Sequence, residues 1–145
     1  MIPVVTPAEM RAIDAAAPEP AERLIDRAGA AVARVARSML GGTYGRVVNV
    51  IVGPGNNGAD GRVAAERLAG RGVKVRVFEV ETCPAVLPPA DLVIDAAFGT
   101  GFHGVWRAPA IGDAMVLAVD IPSGVDGNTG SADGGTLRAL SLIHI

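Results

Sequence analysis

The chain has 145 residues, half of them hydrophobic and only 3% aromatic, which bounds it to one domain with a core of Ala, Val and Gly. A net charge of -2 gives no electrostatic case for nucleic acid or an anionic membrane, and Met1–Thr6 lacks the basic start and apolar segment of a signal peptide. A single cysteine, Cys83, excludes an internal disulfide and a cysteine metal cluster; with every apolar run broken before bilayer length, the expected setting is the cytoplasm.

Thr6-Pro7-Ala8-Glu9 has the form of a capping box with proline at the first helical position, predicting a helix to about Ala16. Pro18 and Pro20 break the chain. From Ala21 to about Leu40, the residues Leu24, Ile25, Ala28, Ala31, Val32, Val35 and Met39 recur at helical spacing until Gly41-Gly42. Four apolar runs follow, Arg46–Val52, Val73–Val80, Leu92–Ala97 and Met115–Ile121. The first, third and fourth are almost continuously apolar, the pattern of strands buried on both faces in a parallel sheet covered by helices. A helix from about Asp60 to Ala69 links the first two strands. The next crossover, Glu81–Ala90, holds three prolines and predicts no full helix; Arg107–Ala114 predicts one short helical turn. The last six residues, Leu140–Ile145, are what the mosaic-end adapter of transposase-made sequencing libraries encodes in one frame. The expectation is therefore a domain over 1–139, incomplete at its end, and a non-native tail over 140–145.

The segment Gly53-Pro54-Gly55-Asn56-Asn57-Gly58-Ala59-Asp60-Gly61 sits between the first strand and its helix. Such a turn gathers backbone N–H groups around a ligand, and Gly53-x-Gly55-x-x-Gly58 matches the dinucleotide spacing. In an open parallel sheet the ligand crevice lies beyond the carboxyl ends of the strands. Those ends deliver Asn56, Asn57 and Asp60, then Asp95 with the loop Gly99–Val105, then Asp120 with Pro122-Ser123-Gly124-Val125-Asp126. Asp60, placed by this reading in the helix's first turn, would repel a pyrophosphate. Glu79 stands where a ribose-binding acid would, and keeps an ordinary NAD-binding oxidoreductase as an alternative.

Oxygen donors from Asn57, Asp95 and Ser123 would suit a hard cation, and so few carboxylates are compatible with a monovalent one. Each residue alone has a structural reading: Asn57 as a turn former, Asp95 as a strand-end cap, Ser123 as a turn hydroxyl. Their convergence on one rim favours function. Asp120 is the candidate acid–base residue, because it ends the apolar strand Val116–Val119 where partial burial makes proton transfer feasible. Ser123 lacks the Gly-x-Ser-x-Gly elbow, since Ile121 takes the first glycine's place. His103 has no sequence-adjacent partner, and Cys83 has no basic neighbour to activate it.

The ordered set Gly53–Gly61, Asp95-Ala-Ala-Phe-Gly-Thr-Gly101 and Asp120-Ile-Pro-Ser-Gly-Val-Asp126, with Leu24–Gly29 in the preceding helix, resembles the NAD(P)H-hydrate epimerase family, the YjeF N-terminal domain. The resemblance spans about Thr6 to Ala139. It implies a three-layer αβα Rossmann-like fold with a mainly parallel sheet, its last strands missing here. It implies interconversion of the R and S forms of hydrated NADH and NADPH (NADHX and NADPHX), so that an S-specific, ADP- or ATP-dependent dehydratase, fused in many bacteria, restores the cofactor. By motif, Asn56, Asn57, Gly58, Ala59 and Asp60 with Gly99, Thr100, Gly101, Phe102, His103, Gly104, Val105 and Asp120 would bind the hydrate. Asn57, Asp95 and Ser123 would hold one potassium ion per subunit of a homodimer. Three departures stand out: Ala59 replaces the usual glycine and would narrow the loop or demand another backbone angle, the Glu81–Pro89 crossover is short, and the family domain continues past Ala139. They leave a non-catalytic binding module as a further alternative.

Overall fold

The capping box forms as its residues dictate. In the computed structural model, which describes residues 4–132 and 134–144, Thr6 Oγ1 accepts from Glu9 N at 3.3 Å while Glu9 Oε2 accepts from Thr6 N at 2.7 Å, opening helix α1 (Pro7–Ala15). Helix α2 (Ala21–Leu40) buries Ala28, Gly29, Val32, Ala33, Ala36 and Leu40, and ends where Gly41 turns left-handed. Strand β1 (Val47–Val52), helix α3 (Asn56–Ala69) and strand β2 (Lys74–Glu79) make the first crossover unit; β3 (Leu92–Ala96), β4 (Met115–Val119) and a short β5 (Ser141–Ile143) complete the sheet.

All pairings are parallel, in the order β2-β1-β3-β4-β5. The sheet separates two cores. On one face α2 and α3 pack over Val48, Val50, Val52, Leu92, Ile94, Leu117 and Val119. On the other, extended chain covers Ile51, Val93 and Val116, using Leu87, Trp106, Ala108 and Leu137. The fold is thus the expected layered α/β arrangement, with extended segments rather than helices making the third layer among the described residues. Parallel strands collect their carboxyl ends on one rim, which is how Asp95 and Asp120 become neighbours of the β1–α3 turn.

Two expectations change. Helix α3 starts at Asn56, four residues earlier than predicted, because extended Gly55 serves as its N-cap and Ala59 N already bonds Gly55 O at 3.1 Å. The β1–α3 loop is only Gly53–Gly55. Residues Arg107–Ala114 hold no helical turn; the chain runs extended to Ile111 and turns at Gly112-Asp113, with Ala110 bridging Val86 and Ala110 N donating to Ala85 O. Those segments trade backbone bonds with each other because Pro109 removes a donor a helix would need. The β2–β3 crossover is abbreviated as expected: one 3-10 turn, Val80–Thr82, then extended chain. Ser141–Ile143, in the suspected tail, lie against β4, with Leu140 N on Val116 O at 2.9 Å. No helix among the described residues is long and apolar enough to cross a membrane.

Candidate active site

The β1–α3 turn is built by close backbone approach. A Cβ on Gly58 would overlap the Gly53 carbonyl, and one on Gly53 would overlap the Ala97 carbonyl. Gly61 faces Ala96 Cβ at 2.6 Å from where its own Cβ would stand, and Gly29 of α2 faces Val63 Cβ of α3 at 2.5 Å. These glycines weld α3 to the ends of β1 and β3 and to α2. Because α3 begins at Asn56, Asp60 lies beyond the first turn, which carries no acid. The electrostatic objection to a phosphate at this helix end is therefore removed. Ala59 sits inside the helix with ordinary helical geometry, so its methyl demands no unusual backbone angle.

Asp95, 1% exposed at the end of β3, and fully buried Ser123 form a tight pair. Ser123 Oγ donates to Asp95 Oδ1 at 2.5 Å, Ser123 N donates to Oδ2 at 2.8 Å, and Phe98 N donates to Ser123 Oγ at 2.9 Å. Burial pushes the Asp95 carboxyl above its ordinary range, against the lowering pull of the serine bonds. The pair ties the loop after β3 to the loop after β4.

Asp120 follows β4 with φ +70°, the one described non-glycine residue in the left-handed region. Such a conformation costs about 1 kcal/mol or more and persists where the surroundings fix it. Here Asp120 N donates to Ile143 O at 2.7 Å, and its Oδ2 accepts from Thr100 N at 3.1 Å. Asn57 arrives from α3, donating Nδ2 to Val119 O at 3.1 Å. Gly99 lies between them: a Cβ there would stand 3.0 Å from Asp120 Oδ2 and 3.8 Å from Asn57 Cγ. Asp60, 7% exposed, completes the group. Desolvation, then the nearby Asp120 charge, raises its carboxyl from 3.8 to about 7, and no hydrogen bond offsets them. Asp60 is thus the carboxyl whose titration is moved toward neutral pH, a role that no local sequence pattern assigns.

The structure therefore joins Asn57, Asp60, Gly99, Thr100 and Asp120 in one group and Asp95 with Ser123 in another. Asn56 is exposed at the helix start. In the Gly99–Val105 loop, Phe102 stacks on Phe98 with ring centroids 4.1 Å apart, and Phe98 meets Trp106 edge-on at 5.4 Å. Phe102, His103 and Gly104 line an open pocket of about 130 Å³ with Gly124, Asp126 and Ser131. Asp126 is held below the usual carboxylate range by N–H bonds from Thr129 and Asn128, and then by nearby His103. Val105 is exposed. Glu79 pairs with Arg62, whose Nη1 also donates to Gly53 O at 3.2 Å, so the acid of the oxidoreductase alternative is already engaged. Burial raises the Cys83 thiol, which agrees with an unreactive cysteine.

The donor set can be tested against a hard monovalent cation. Asp95 is a buried carboxylate with no cationic partner among the described residues, and Ser123 Oγ stands against it. Asn57 spends its amide N–H on Val119 O, which leaves its carbonyl oxygen unspent. Oxygen donors with one buried negative charge fit such an ion in kind.

The family described as YjeF-related protein N-terminus matches residues 21–86 and 79–144. The chain belongs to the YjeF-related N-terminal family. Its two matched stretches overlap at 79–86, where the crossover from β2 holds only the 3-10 turn Val80–Thr82. The bifunctional NAD(P)H-hydrate repair enzyme Nnr of Thermofilum pendens is 37% identical over 81% of this chain and 30% of that protein. The NAD(P)H-hydrate epimerase of Rhodobacter capsulatus is 33% identical over 87% of this chain and 79% of that protein. The chain spans about a third of the length of the bifunctional relatives it matches. The solved yeast protein ynu0 has a similar fold, with TM-score 0.74 over 97% of this chain and 79% of its own at 23% identity.

Proposed function

We propose that this domain is an isomerase that interconverts the R and S forms of hydrated NADH and NADPH. Relatives bearing the names NAD(P)H-hydrate epimerase and NAD(P)H-hydrate repair enzyme support this reading. The observation that carries it is Asp120, fixed in a left-handed backbone beside Asn57, Thr100 and the buried Asp60, whose carboxyl is raised to about 7. Inversion at a hydrated carbon breaks a bond there and re-forms it on the opposite face, with a proton given up and taken back. Asp120 is the group proposed to move that proton, and Asn56–Asp60 and Gly99–Val105 the walls that hold the hydrate. Asn57, Asp95 and Ser123 would hold a potassium ion, whose chemistry is to fix the charge and orientation of the bound hydrate. In the same reading an S-specific, ADP- or ATP-dependent dehydratase consumes the product, the domain works as a homodimer, and the setting is the cytoplasm.

The test follows loss of the R-hydrate with dehydratase in excess, with and without potassium. Wild-type protein accelerates interconversion over the spontaneous rate; no acceleration would defeat the reading. Asp120→Asn should lower turnover by about 10²-fold or more while unfolding like the wild type. Retained turnover removes Asp120 from the proton-transfer role.

A further inference from the structure

The rim of this site is acidic, with Asp60, Asp95 and Asp120 gathered at the strand ends. A hydrated dinucleotide brings an anionic pyrophosphate, so its binding calls for a cation that no carboxylate already holds. Arg27, Arg46, Arg62 and Arg67 are each paired with an acid. Of the arginines without such a partner among the described residues, Arg11 has its Nη1 3.8 Å from where a Cβ on Gly101 would stand.

Helix α1 is placed to hold it there. Pro7 Cγ is 3.0 Å, and Thr100 O 3.1 Å, from the Cβ position of Gly127, so the start of α1, the turn after β4 and the Gly99–Val105 loop meet at one point. Pro7 and Arg11 are four residues apart and share a helix face, so docking Pro7 turns Arg11 toward the same loop. Gly101, without a side chain, leaves the guanidinium's approach open. A guanidinium fork matches phosphate oxygens two at a time.

We propose that Arg11 binds the pyrophosphate of the hydrated dinucleotide, as a specificity residue on the first helix and outside the strand-end motifs. This rests on the function proposed above. The hydrate of NADH and, as a phosphate-free control, the hydrate of dihydronicotinamide riboside are assayed with wild-type, Arg11→Gln and Arg11→Lys proteins. Arg11→Gln raises KM for the dinucleotide about tenfold and leaves kcat within about twofold, the signature of lost uniform binding. Arg11→Lys recovers part of the loss, and the riboside hydrate shows the same KM with all three proteins. Added salt raises KM for the dinucleotide more steeply in the wild type than in Arg11→Gln. Melting of Arg11→Gln within about 2 °C of the wild type accompanies this result. An unchanged KM for the dinucleotide, or an equal rise for the riboside, overturns the assignment while leaving the epimerase reading intact. A wild type inert toward both hydrates overturns both.

Discussion

Two glycine-rich segments frame this site, and they use glycine for different ends. In Gly53–Gly61 the missing side chains make room for protein: Gly53, Gly58 and Gly61 press against backbone or side chains of β3 and their own loop. In Gly99–Gly104 the missing side chains make room beside functional groups. The Cβ position on Gly99 faces the Asp120 carboxylate and Asn57, and that on Gly101 faces Arg11. The first segment is scaffold that aims Asn57 and Asp60; the second is clearance around Asp120. Similar composition thus hides opposite tolerance to substitution.

The largest effect that would test the contrast is Gly58→Ala. Its methyl has no space beside the Gly53 carbonyl, so the start of α3 must shift, and a loss of about 3 kcal/mol or more in unfolding free energy is expected by denaturant titration. Unchanged stability would erase the distinction between the two segments. Gly99→Ala should behave differently, since its methyl meets a carboxylate oxygen at 3.0 Å rather than backbone. We expect stability within about 1 kcal/mol of the wild type and catalytic efficiency down about tenfold; a folding defect as large as that of Gly58→Ala would contradict it.

Asp60 gives a pH test. Its folded carboxyl keeps its proton to about pH 7, whereas in the unfolded chain it releases it near 3.8. The folded state therefore binds more protons across that window, and this group's contribution to stability falls as pH rises from about 4 to 7, then levels. Asp60→Asn removes the fall, so relative to the wild type it should gain stability between pH 5 and pH 8. An identical difference at both pH values would show that Asp60 ionises normally beside Asp120. The smallest expected effect is at Ala59. Restoring glycine there should cost about 0.5–1 kcal/mol of stability, from the helix interior, without raising turnover. A gain in turnover would return Ala59 to the role of an obstructing loop residue.

Much of the layered arrangement was legible locally. Thr6 and Glu9 specify a capping box within four residues, and Val47–Val52, Leu92–Ala96 and Met115–Val119 carry the uninterrupted apolar pattern of strands covered on both faces. The start of α3 was not legible, because Asn57 reads as a turn former and the helix pattern starts only at Asp60; what recruits Asn56 and Asn57 to the helix is Gly58 lying flat on Gly53. Nor was the division of the strand-end polar residues into the Asp95–Ser123 pair and the Asn57–Asp120 group, which depends on contacts between residues up to 62 positions apart.

By itself the sequence determined the parallel sheet, the rim on which the polar residues gather and the family motifs that mark it, since each rests on local patterns of side-chain character. Only the tertiary structure decided which carboxyl is desolvated, which amide is already engaged and which arginine stands beside the site. Burial and electrostatic coupling are properties of neighbours in space. Asp60 acquires its burial and its coupling to Asp120 only when α3 is packed across the ends of the strands.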